Sequence, residues 1–155
     1  SRFNLVMHLK EKLHKQCQDA LNQRLEAIKS TISDIQNSLQ SETKSTAGDK
    51  HETGRAMLQL EREKAGNQLA EIQKQIEILH KINPEMSYSK VALGSLVKTT
   101  VSNYFIGVSV GEITIENETF YAISLSTPIG KLLVSKGVGD NIQFRMQKFT
   151  ITDIL

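Results

Sequence analysis

Asp49 and Glu52 stand three residues apart in the polar stretch Ser45-Thr46-Ala47-Gly48-Asp49-Lys50-His51-Glu52-Thr53-Gly54-Arg55. On a helix that spacing puts both carboxylates on one face, within reach of a single cation. Mg²⁺ is commonly held by one or two carboxylates together with phosphate and water. Two acids in open solvent make too poor a cage to retain the ion alone, so the pair suits a site that another molecule completes. The same residues have a plainer use. Asp49 as N-cap with Glu52 three positions on is a capping box, which ties down orphan amides at a helix start. Both charges also suit the positive end of a helix dipole. For the six residues taken alone the cap is the commoner use; what favours chemistry is where the pair sits.

The elements on either side fix that location. Apolar residues run Leu13, Cys17, Leu21, Leu25, Ile28, Ile32, Ile35, Leu39, with steps of three and four and polar residues filling most positions between. This is a helical stripe close to a heptad seam. It stops in the Ser, Thr, Lys, Ala and Gly of residues 41–48, then resumes at Leu58, Ala65, Leu69, Ile72, Ile76 and Leu79. Asn83-Pro84 ends it, because a residue before proline is pushed away from helix. Two stripes of similar length joined by a polar, Gly-containing turn predict an antiparallel coiled-coil hairpin, with a parallel dimeric coil as the alternative. Arms of about 30 residues at ~1.5 Å each would extend ~45 Å, with the acids at the far end. Gly66 lies inside the second arm, where it would let the two helices approach closely.

Bulk properties narrow the classes. In 155 residues, 19 Lys and Arg face 17 Asp and Glu, a net charge of +2 that argues against wholesale duplex or anionic-membrane binding. No apolar run nears the ~20 residues of a membrane-spanning helix, and the first residues carry no signal-peptide pattern. The single cysteine, Cys17, falls on the apolar stripe and reads as a core residue in a reducing, cytoplasmic setting. The sequon Asn117-Glu118-Thr119 is then without use. His8, His14, His51 and His80 show no metal-ligand spacing and read as surface histidines.

After residue 89 the texture turns β-branched and alternating. Strands are expected over residues 90–101, 104–110, 119–125, 141–145 and 149–154, with a turn at Glu116-Asn117-Glu118. Thr127-Pro128 opens a short helix, Thr as N-cap and Pro at the first helical position. Gly137-Val138-Gly139-Asp140 turns the chain into the next strand. The fold class is α+β, divided into a hairpin over 1–83, with its acidic tip near 48–52, and a small antiparallel β domain over 84–155 with one short helix.

Three stretches resemble the Gre-type transcript cleavage factors of bacterial RNA polymerase, in the same order and across nearly the whole chain. Gly48-Asp49-Lys50-His51-Glu52-Thr53 is similar to the family's tip pattern, Gly-Asp-x-x-Glu-Asn, in both acids and their spacing. Val91-Ala92-Leu93-Gly94-Ser95-Leu96-Val97 resembles the strand opening the family's C-terminal domain. Thr127-Pro128-Ile129 through Leu132-Leu133 to Gly139-Asp140 is similar to its Ser-Pro-Ile, Ala-Leu and Val-Gly-Asp run. The chain departs at Thr53, where the family has Asn, at Ala56, where it has an aromatic residue, and at Ser126 and Thr127 beside the proline.

The resemblance implies that the β domain is FKBP-like and that the partner is bacterial RNA polymerase, entered through its secondary channel by the coiled coil. It implies that Asp49 and Glu52 help hold a second Mg²⁺ shared with the polymerase site and so stimulate cleavage of backtracked RNA. No cofactor would be bound alone, and the chain would not be a stand-alone enzyme. Ser126, Thr127, Pro128 and Ile129 would dock on the polymerase, and Lys44, Lys50 and Arg55 would lie near the RNA 3′ end. The protein would be a cytoplasmic monomer. Three other functions fit parts of the pattern. A channel-binding factor could inhibit the polymerase without cleavage. A peptidyl-prolyl isomerase could use Phe105, Phe120, Tyr121, Phe144 and Phe149. A scaffold could dimerise through its coil.

Overall fold

The computed structural model describes residues 1–43 and 48–155, with side chains given for all of these except 43 and 48–51. Two long helices come first, α1 (Arg2–Thr43) and α2 (Gly48–His80). Then follow β1 (Leu96–Thr99), β2 (Asn103–Ile106), β3 (Gly111–Ile115), β4 (Glu118–Ile123), the short α3 (Pro128–Leu133), β5 (Asn141–Phe144) and β6 (Gln147–Ile154). The chain forms two compact units, Leu21–Lys74 and Ser1–Ala20 together with Gln75–Leu155.

The unit Leu21–Lys74 is the antiparallel hairpin. Ile28, Ile32 and Ile35 of α1 are buried against Ala65 of α2, with Leu39, Leu58, Leu69 and Ile72 half-buried around them. The sense of pairing shows at the end of α1, where the Leu39 carbonyl accepts from the Arg55 guanidinium at 3.4 Å. Two helices can cover only one stripe of each other, so most of α2 keeps a solvated surface. Gly66 does not mediate close approach. A Cβ there would meet only the Arg62 guanidinium of its own helix, at 3.0 Å, and no atom of α1 within 4 Å. The small residue that lets the helices meet is Ala65, 4% exposed.

In the other unit α2 tightens at its end, Lys81 and Ile82 donating to the carbonyls of Ile78 and Leu79. Asn83 then accepts the amide of Glu85 on its side chain and starts a turn. The sheet has the order β3-β4-β2-β1-β6-β5 and is antiparallel except that β2 and β4 run parallel. β3 was not among the expected strands. Only Ile113 and Ile115 alternate there, and β4 holds them in place through five paired positions. Glu116 and Asn117, at φ 51° and 68°, make the connecting turn with both central residues left-handed. The first strand starts at Leu96, later than expected, because residues 91–95 are bent: Gly94 sits at φ 95° and Ser95 Oγ bonds both the amide and the carbonyl of Ala92.

One face of the sheet packs Val97, Tyr104, Ile106, Phe149 and Ile151 with Leu133 of α3. By the alternation of a strand, Leu96 and Phe105 face the other way, and both are fully buried. That side is covered as well. Leu13, Cys17 and Leu79 in the same unit are at most 1% exposed. Ile82 lies so close over Gly107 that a Cβ there would fall 2.6 Å from its Cδ1.

Candidate functional site

Two places carry the candidate residues. At the first, α2 is helical from Gly48, so Asp49 lies inside its first turn and Glu52 about one turn on. Glu52 is exposed. The side chains of Asp49 and Lys50 lie outside the described residues, as does Lys44 altogether. Arg55 is part of the helix, half-buried, and its reach to the Leu39 carbonyl spans from α2 to α1. Gly54 is half-buried and faces the last turn of α1. A Cβ there would come 3.7 Å from the carboxylate of Glu42. Glu42 is a third acid of this end that the sequence reading missed. Its only signal is that Gly54, on the inner face of α2, leaves room opposite it. Met57 and Leu60, 59% and 66% exposed, lie five and eight residues beyond Glu52 as unpacked apolar surface.

The carboxylates are hard oxygen donors of the kind Mg²⁺ accepts. Among the described residues no three His, Cys, Asp or Glu side chains could together hold a metal ion. His14 is half-buried, its Nε2 3.0 Å from the Leu79 carbonyl, so it is a contact between α1 and α2 and not a free surface histidine. Cys17 is fully buried, and burial pushes its thiol up to about 12, which leaves it unreactive.

The second place is the connection from β4 to α3. Thr127 caps α3: its hydroxyl accepts from the Gly130 amide at 3.1 Å and donates to the Ser124 carbonyl at 2.7 Å. Ser124, itself buried, meets Ser126 hydroxyl to hydroxyl at 2.7 Å, and its amide donates to Ser109 Oγ. Pro128 occupies the first helical position. The turn is closed so tightly that a Cβ on Gly130 would stand 2.2 Å from the Ser124 carbonyl oxygen. Of the four residues expected to dock, Ser126 and Pro128 are exposed. Thr127 is occupied in capping, and Ile129 packs against the sheet core. The exposed Lys131, Leu132 and Val134 extend this surface and were not anticipated.

The aromatic residues give little to an isomerase pocket. Phe105 and Phe120 are 0% exposed and Phe149 4%, all in the core, while Tyr121 lies on the surface. A groove of about 440 Å³ beside β5 and β6 is lined mainly by polar side chains such as Thr100, Asn141 and Thr150, with Phe149 its single aromatic.

No family model matches the chain, and no curated protein does. Among solved structures, that of the transcription factor Gfh1 is similar at 20% identity over 88% of this chain and 91% of that one, with a TM-score of 0.36. At that degree of overlap the likeness carries no argument about activity. No helix among the described residues is long and apolar enough to cross a membrane.

Proposed function

We propose that this chain is an accessory factor of bacterial RNA polymerase that stimulates cleavage of backtracked RNA through its helical hairpin. The observation that carries the proposal is the exposed Glu52, one helical turn from Asp49 at the start of α2, the helix that pairs antiparallel with α1. Asp49 and Glu52 are the residues that would hold Mg²⁺ jointly with the polymerase; when bound, the ion helps form the attacking hydroxide and offsets charge on the phosphate oxygens. The protein's own contribution is to carry two oxygen donors on one helical face and to orient them. Because two carboxylates without further protein ligands retain Mg²⁺ poorly, purified protein with Mg²⁺ alone is expected to leave RNA intact.

Docking would use Ser126 and Pro128, displayed by a turn that Thr127 and Gly130 hold rigid. Lys44 and Lys50 would lie near the RNA 3′ end. Arg55 would serve the same end indirectly, since its guanidinium reaches the Leu39 carbonyl. The factor would act as a monomer in the cytoplasm.

The test is a stalled, backtracked elongation complex given the protein with and without Asp49→Ala. Shortening of the RNA that depends on Asp49 is the expected result. Equal inhibition by both proteins would identify a channel blocker, and no effect of either would remove the polymerase from the account.

A further inference from the structure

Lys10 is the only charged side chain fully buried among the described residues, at 0% exposure. It stands three residues before Leu13, on the stripe that continues through Cys17 and Leu21, where an apolar residue would be expected. Its ammonium group is surrounded on three sides. Nζ donates to the Met86 carbonyl at 2.6 Å and to the Leu155 carbonyl at 3.3 Å, and it lies 4.9 Å from the centre of the Tyr88 ring. None of the ion pairs among the described residues includes it.

These partners belong to different parts of the same unit. Met86 and Tyr88 lie in the connection between α2 and β1, and Leu155 follows β6. The Leu155 carbonyl also accepts from the Leu96 amide at 3.0 Å, so Lys10 reaches the end of the β1–β6 ladder. A methionine would fill much of the same space without the desolvation that holds this amine down to about 8. An apolar side chain packs acceptably in several rotations of a helix. An ammonium is satisfied only where the oxygens converge, and a single polar residue on a helical seam is a known way to fix register at a cost in stability.

We propose that Lys10 is a registration residue: it fixes the rotation and axial register of α1 on the sheet, and it does so at the expense of stability. The inference is independent of what Asp49 and Glu52 do. Spin labels at Glu11→Cys on α1 and Gln143→Cys on β5, both exposed, report the geometry by pulsed dipolar spectroscopy, with the buried Cys17 left in place. With Lys10 intact a single narrow distance is expected. Lys10→Met should leave Tm unchanged or higher while broadening or splitting that distance, and Tyr88→Leu should broaden it less. A Lys10→Met protein that keeps the single narrow distance would overturn the proposal. So would one that fails to fold or melts lower, because Lys10 would then be an anchor of the fold.

Discussion

Replacing Glu52 by Gln separates the two uses of its carboxylate. Glu52 is exposed and is the fifth residue of α2, so its neutralisation frees no buried partner and touches the helix dipole only weakly. The expected change in stability is within ~0.5 kcal/mol, a shift in Tm of roughly 2 °C or less for a chain of this size. If the carboxylate instead supplies an oxygen to Mg²⁺ in the cleavage step, its loss should remove on the order of 3 kcal/mol of stabilisation, roughly 100-fold in rate. The assay is the rate of RNA shortening in a backtracked complex at saturating factor, read beside a melting curve of the same preparation. Cleavage within ~3-fold of the unsubstituted protein would refute the chemical role. A fall in Tm of ~5 °C or more would give Glu52 a structural role in place of the chemical one.

Stability should depend on pH through two buried groups. Lys10 is held at about 8 against an ordinary 10.5, so the unfolded chain binds more protons between those values and stability rises with pH. From pH 8 to 9 that gain is about 1 kcal/mol in urea unfolding, and Lys10→Met should abolish it. Cys17 acts in the opposite direction. Its thiol is raised from 9 to about 12, so stability falls as pH climbs above 9, and the curve should flatten there. Gly130→Ala sets a Cβ 2.2 Å from the Ser124 carbonyl and should destabilise the protein by about 1–3 kcal/mol, checked by urea unfolding.

The elements were legible where a periodic pattern is long. The two helical stripes and the Asn83-Pro84 stop appear as read, and the Thr127-Pro128 start is a cap with the proline at the first helical position. Lys10 was not legible as core, since a charged residue on a stripe reads as the place where the stripe ends. Ile113 and Ile115 are too few to declare a strand, and their order comes from pairing with β4. The parallel pairing of β2 with β4 depends on contacts between distant segments and has no local signature. At the candidate site, residue types gave the acids and the cap. They could not give the reach of Arg55 to Leu39 or the facing of Glu42 and Gly54, which depend on how α1 and α2 come into register.

The central claim is that the acids at the start of α2 supply oxygens to a loosely held Mg²⁺. A titration of Mg²⁺ against the cleavage rate of a backtracked complex tests it most directly. The protein should lower the Mg²⁺ concentration giving half-maximal cleavage by about tenfold, and a chain carrying both Asp49→Ala and Glu52→Gln should leave it where the polymerase alone has it. If both proteins raise the cleavage rate equally at every Mg²⁺ concentration, the acids do not serve the ion and the claim is wrong.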